Sequence, residues 1–295
     1  MNYGPLIFLA AFIGLSASWF GFVLTPQIQL GRAQQATNTV NTAQLYPIAR
    51  PGLAQEGLEV YKANGCFYCH SQQVGQTGTQ VNFILTEIGT NPVAVAEGLL
   101  TAKVGLTNAN AAGLSAGLPK TILRNVPIGD AKKAAKVTRD NGASGTVEVV
   151  AVGPDIARGW GIRRSVAADY LYDSTVMLGS QRVGPDLANV GARLPDANWH
   201  YRHLYVPRSV VKDSAMPAYS YLFKTRKIEG RPSPDALQLD EGFAPENGYE
   251  IVPTDEAKAL VAYLLSLNSS TPLFEAPVTV ATAPAAPAQT NSPAQ

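Results

Sequence analysis

The sequence predicts a mainly α-helical chain in three parts: an N-terminal helix long enough to span a membrane, a helical domain split along the chain, and a small α/β module that interrupts it. Three observations support this. Residues 5–24 read PLIFLAAFIGLSASWFGFVL, an unbroken run without a charge. Apolar residues recur at helical spacing on both sides of the split, at Leu58, Val60 and Tyr61 and again at Ala257, Leu260, Val261, Leu264 and Leu265. Between them, residues 81–152 alternate strand-like and helix-like runs.

The apolar run comes first. Twenty helical residues at 1.5 Å each span about 30 Å, the thickness of a bilayer's hydrocarbon core. A cleaved signal peptide is the competing reading. It needs a basic n-region and a shorter apolar core, and the first charge in the chain is Arg32. A retained anchor over residues 1–26 is therefore expected, with a polar linker at 27–50. Charged residues make up only 15% of the chain and the formal net charge is +1, which argues against a nucleic-acid partner.

The chemistry centres on Gly65-Cys66-Phe67-Tyr68-Cys69-His70. Two cysteines two residues apart, followed at once by histidine, form the C-x-x-C-H pattern of covalent haem attachment. Two thiols add to the vinyl groups of one porphyrin edge, and His70 then lies under the iron as its proximal ligand. A redox dithiol has no need of the histidine. A structural zinc site needs more thiolates or histidines close by, and Cys66 and Cys69 are the only cysteines present.

Residues 53–64 form a short helix leading into this motif, and Gly57 within it costs about 1 kcal/mol unless its small size is used. Thr254, Asp255 and Glu256 open a second helix as N-cap and first-turn acids. Met216 stands before Pro217 in a loop late in the chain and looks like the distal iron ligand of class I cytochromes c, whereas Met177 sits in an apolar stretch and is expected to pack. His200 and His203 leave a bis-histidine iron open, although their spacing within 196–205 is more often structural. Arg182-Val183-Gly184-Pro185-Asp186-Leu187 resembles the Gly-Pro-x-Leu segment of class I cytochromes c, which implies that the Pro185 carbonyl holds the second nitrogen of the proximal imidazole, as a ligating histidine requires.

The wording around these residues resembles one family. Tyr68-Cys69-His70-Ser71-Gln72, Gly179 to Gly191 (GSQRVGPDLANVG), Trp199-His200 with His203-Leu204 and Pro207-Arg208, and Met216-Pro217-Ala218-Tyr219 are similar to the mono-haem subunit II of cbb3-type cytochrome c oxidases. The resemblance covers roughly residues 1–74 and 159–270. It implies a class I cytochrome c domain, built here from 51–78 and 153–271, whose two terminal helices cross beside the haem. One covalent haem c is implied, bound by Cys66, Cys69, His70, Gly184, Pro185 and Met216, with His70 and Met216 as the axial ligands. The implied role is single-electron transfer rather than oxygen reduction by this chain itself. The implied partners are the catalytic haem-copper oxidase subunit, another c-type cytochrome subunit and membrane lipid. The implied site is the bacterial cytoplasmic membrane, with the haem domain on the periplasmic side. The mono-haem subunit of a nitric oxide reductase shares anchor and haem, and a haem sensor or peroxidase would require Met216 not to ligate.

The departure from the family is an excess of chain. His70 and Met216 are 146 positions apart, and 72 once residues 79–152 are set aside. Those residues predict the order βααβαβ, with strands at 81–86, 121–125 and 146–152 and helices at 92–103, 108–118 and 130–140. Gly89 to Val95 and Leu118 to Leu123 resemble the C-terminal domain of the ribosomal stalk protein. Fold does not carry function, so no ribosomal role follows. Residues 224–249 read as a surface loop, and 272–295, rich in Ala and Pro, as a disordered tail.

Overall fold

A computed structural model of the chain describes residues 3–31 and 45–273. Most of the expected linker and nearly all of the expected tail lie outside the described residues. The N-terminal run is helical throughout: α1 (Gly4–Trp19), a π-helical turn at Phe20–Leu24, and α2 (Thr25–Gly31). The stretch Gly4–Gln29 is 26 residues long and apolar enough to cross a membrane, and none of its membrane-length window is buried against the rest of the protein. The helix runs past the expected anchor boundary at residue 26, so residues 27–31 are helical rather than linker. Pro26 is accommodated because the wider π turn precedes it and the Thr25 hydroxyl donates to the Phe20 carbonyl at 2.9 Å.

The cleft-bearing lobe starts with the segment from Leu45, which lies against the body. The Tyr46 hydroxyl donates to Asp169 at 2.9 Å, and Arg50 pairs with Asp173. The helix α3 (Gly52–Ala63) then packs across α10 (Asp255–Ser266), the last helix among the described residues, at Gly57. A Cβ at Gly57 would lie 1.9 Å from the Ala259 carbonyl oxygen and 2.8 Å from Tyr263 Cβ. Only glycine allows the backbones this close, so the helical cost of Gly57 is offset by the crossing.

The inserted segment follows as β1 (Gly78–Glu87), α4 (Pro92–Thr101), α5 (Ala111–Ser115), β2 (Lys120–Val126), α6 (Ile128–Asp140) and β3 (Ser144–Val152), in the expected order. Its three strands pair antiparallel in the order β2-β1-β3. Val81, Phe83 and Leu85 alternate onto one face and pack with Val95, Leu99, Ala131 and Ala134 in a core of their own. Bounds differ from expectation where capping decides them. α5 starts only after Asn110, whose side chain accepts from the Gly113 amide at 2.6 Å. α4 stops before Lys103, whose φ is +50°. α6 starts two residues early, directly after Pro127.

The chain re-enters the lobe beside the point where it left. Gly78 pairs with Val152, and the Thr77 amide donates to the Val152 carbonyl at 2.9 Å. Three short helices follow, α7 (Pro154–Ala157), α8 (Val190–Arg193) and α9 (Ala197–Tyr205), the last capped by Asp196 onto the Asn198 amide at 2.9 Å. The expected surface loop at 224–249 is bounded instead by a hairpin of β4 (Phe223–Lys227) and β5 (Tyr249–Pro253). Exposed charges on β4 masked its strand character, while Phe223 and Ile251 face the core. The chain closes on α10 (Asp255–Ser266), capped by Thr254 onto the Ala257 amide at 3.3 Å. Leu58, Tyr61, Leu204, Leu260, Val261 and Leu264 form the centre of the lobe's core.

Candidate functional site

A short stretch of chain after the cysteine motif is laced to a distant loop. The Ser180 amide donates to the Phe67 carbonyl (3.1 Å), the Gln72 amide to Leu178 (3.0 Å), the Gly184 amide to Cys69 (2.9 Å) and the Leu187 amide to Ser71 (2.8 Å). These backbone bonds bring Gly184 and Pro185 under His70. The His70 Nδ1–H donates to the Pro185 carbonyl at 2.8 Å, which fixes the tautomer and leaves Nε2 as the free ring nitrogen. Gly184 is required for space, since a Cβ there would lie 2.2 Å from Cε1 of the imidazole.

His70 borders a mostly apolar cleft whose walls include Cys66, Leu187, Leu204, Met216, Leu260 and Leu264. The sequence placed Cys66, Cys69, His70, Gly184, Pro185 and Met216 in one site. The structure brings Cys66, His70, Pro185 and Met216 to this cleft, with Gly184 against the His70 ring and Cys69 beside it in the same turn. Met177 is buried in the core cluster and is not among the cleft residues. Cys66 and Cys69 form no disulfide with each other. Burial pushes the Cys66 thiol up to about 11, and the same cause holds the His70 imidazole below its ordinary value.

His203 belongs to the site as well, although its spacing suggested a structural role. It lines the cleft with His200 and Trp199. Trp199 stacks on the His203 ring at 4.7 Å, and the His200 Nε2–H donates to the Leu194 carbonyl at 2.8 Å. The His203 Nδ1 is buried without a hydrogen-bond partner. Burial first, and the neighbouring imidazoles second, push its pKa down to about 4. The clue in the sequence was the i, i+3 spacing itself, which places both rings on one side of α9. Arg193 also reaches the cleft, with its Nε buried and unpartnered and Nη2 donating to the Asp186 carbonyl at 3.2 Å.

An imidazole, a thioether and two thiols around an apolar cleft suit an iron porphyrin better than a bare ion. Among the described residues no three His, Cys, Asp or Glu side chains cluster closely enough to hold a metal by themselves. In comparisons with known proteins, no curated protein matches the chain. A family model described as cytochrome c oxidase, mono-haem subunit/FixO, matches residues 154–241. That stretch carries Gly184, Pro185, Arg193, His203 and Met216 but not the cysteine motif, and over it the chain is similar to the mono-haem subunit of an oxidase.

Proposed function

We propose that this chain is the membrane-anchored mono-haem electron carrier of a cbb3-type cytochrome c oxidase. The carrying observation is the His70–Pro185 hydrogen bond. It joins the C-x-x-C-H motif, which lies outside the family match, to the Gly-Pro loop inside it. Two independent signals thereby meet at one cleft.

The residues fit one haem. Cys66 and Cys69 would hold it as thioethers, and His70 Nε2 and Met216 would ligate its iron. A haem so bound supplies an iron that changes by one electron, and thioether ligation raises its potential. The protein's own contribution is to hold the ligands still. The Pro185 carbonyl keeps the His70 proton on Nδ1, Gly184 leaves room for the ring, and Leu187, Leu204, Leu260 and Leu264 exclude water. Arg193, whose Nε is buried without a partner, would offer that N–H to the anionic side groups of the macrocycle. The partners are the catalytic haem-copper subunit and a second c-type cytochrome subunit. The anchor lies in the bacterial cytoplasmic membrane with the lobe on its periplasmic side.

His203 supports a second reading of the sixth ligand, because its buried Nδ1 has no partner within the protein. A spectrum of the oxidised protein separates the two. A Met-to-iron charge-transfer band that is lost in Met216→Ala, and kept in Met177→Ala and His203→Gln, supports Met216. A band absent from the wild type, with loss of low-spin character in His203→Gln, gives the ligand to His203. Ready carbon monoxide binding by the reduced wild type would replace the carrier by a sensor or peroxidase. Co-purification with a nitric-oxide-reducing subunit instead of an oxygen-reducing one would change the complex.

A further inference from the structure

The proximal side of the cleft and the neck of the inserted segment are tied together by one guanidinium. The Arg182 Nε donates to the Ser71 hydroxyl oxygen at 2.8 Å, and Nη1 to Asp155 Oδ1 at 3.2 Å. Its Nη2 lies 3.0 Å from Asp155 Oδ2 and 3.5 Å from Asp186 Oδ2, and donates to the Gln73 carbonyl. The guanidinium carbon stands 5.3 Å from the centre of the Trp160 ring.

Each of these partners belongs to a segment that defines the position of His70. Ser71 follows His70 and donates its hydroxyl to Asp186 at 2.6 Å. Asp186 follows Pro185, is fully buried, and also accepts from the Gln73 amide at 2.9 Å and the Ala188 amide at 2.8 Å. Asp155 begins just after β3 and accepts from the Gly75 amide at 2.7 Å, three residues before β1. Asp155 and Asp186 are both buried carboxylates, and a buried carboxylate without a cation is expensive. Arg182 is the group that both share. Its fork reaches four partners at once, which a lysine ammonium on a flexible stem does not reproduce.

Resting on the haem reading above, we propose that Arg182 is the positioning residue for His70. It acts through Ser71 and Asp186 without touching the imidazole, and Asp155 makes the neck of the 78–152 segment part of the same unit. Without Arg182, the Pro185 carbonyl and the imidazole are no longer held in register. The loss of a positive charge beside Asp155 and Asp186 favours the oxidised iron, although Asp155 keeps the exposed Arg158 at 3.8 Å.

The test uses the full-length protein in detergent with Arg182→Gln, Arg182→Lys and Asp155→Asn. The first readout is the exchange rate of the His70 Nδ1 proton after histidine labelling with 15N, which needs no haem. The second is the midpoint potential of the haem. Arg182→Gln should speed ring-proton exchange several-fold and lower the potential. Arg182→Lys should do both to a smaller extent, because charge is kept but the fork is lost. Asp155→Asn should speed exchange while the charge change alone moves the potential upward. The amide of Leu260 in α10 should keep its wild-type exchange rate throughout, whereas a merely structural defect would move it in step. Unchanged ring-proton exchange in Arg182→Gln, or full wild-type behaviour in Arg182→Lys, overturns the proposal. A wild-type protein without covalent haem overturns the haem reading instead, and the exchange arm still decides the role of Arg182.

Discussion

The inserted segment gathers its core from one continuous stretch, Val81 to Ala143, whereas the cleft lobe needs residues from Leu58 to Leu267 to close its own. Their close contacts differ in the same way. In the insert they stay within the segment: a Cβ at Gly89 would lie 2.2 Å from the Gly142 carbonyl oxygen. In the lobe they join its two ends: Gly57 on Ala259, Gly184 on His70, and Gly191, where a Cβ would lie 2.1 Å from the Leu265 carbonyl oxygen. The difference explains how the chain tolerates the segment Gly78 to Val152 between residues that border one cleft. The insert leaves and returns through paired positions, so its own folding demands nothing of the lobe beyond one neck.

The comparison breaks most sharply at Gly57. Gly57→Val drives a side chain into the Ala259 carbonyl, a clash with backbone that cannot swing aside, and should exceed the ~1–3 kcal/mol of ordinary overpacking. Loss of bound haem and of lobe protection in hydrogen exchange, with the amides of β1 still protected, is the expected pattern. Collapse of both regions together would show them to be one cooperative unit.

The converse substitution is Phe83→Ala. Phe83 is fully buried in the insert's core, and its truncation should cost about 3–5 kcal/mol. Thermal unfolding should then show the insert melting early, with the haem spectrum of the lobe unchanged until its own transition.

Acid should also distinguish the two regions, at a smaller scale. The chain's three histidines, His70, His200 and His203, all lie in the lobe, and each is held below its ordinary value mainly by burial. On the proposed function His70 would be held by the iron, which leaves His200 and His203 to titrate. A folded pKa below the unfolded one means that the unfolded chain binds more protons as pH falls. The contribution to stability is therefore complete above about 6.5 and is lost below it, for His203 across the interval down to about 4. Denaturant midpoints measured between those values should fall for the lobe and hold for the insert, and His203→Gln should flatten the lobe's slope.

The smallest effect expected is that of excision. Joining Thr77 to Gly153 removes the insert at adjacent backbone positions, and the lobe should keep its haem and its melting temperature to within a few degrees. A large fall would show that the insert supports the cleft through more than the Asp155 neck.

Some of this molecule is determined by the sequence alone, because the interactions are local. The apolar helix, the caps at Thr254 and Asp196, the alternation in β1 and the spacing of Cys66, Cys69 and His70 all act within a few residues. Gly184-Pro185 and Met216 were legible through their neighbouring residues, and Gly57 through its cost in a helix. The hairpin of β4 and β5 was not legible. Its two strands are separated by a long connection, and β4 alternates too few apolar residues to show a period of two. The continuation of the first helix past Pro26 depended on a π turn that propensity alone does not mark.

Only the tertiary structure decided which histidines reach the cleft and how its proximal side is braced. His203 carries the same chemistry whether it faces solvent or the cleft, and the packing of α9 determines which. Asp155 directly follows the insert, Arg182 and Asp186 share one later loop, and their partners Ser71, Gln73 and Gly75 precede the insert, so nothing local in the sequence joins them. Their meaning arises from burial, because two carboxylates taken out of water require the one guanidinium that the fold places between them.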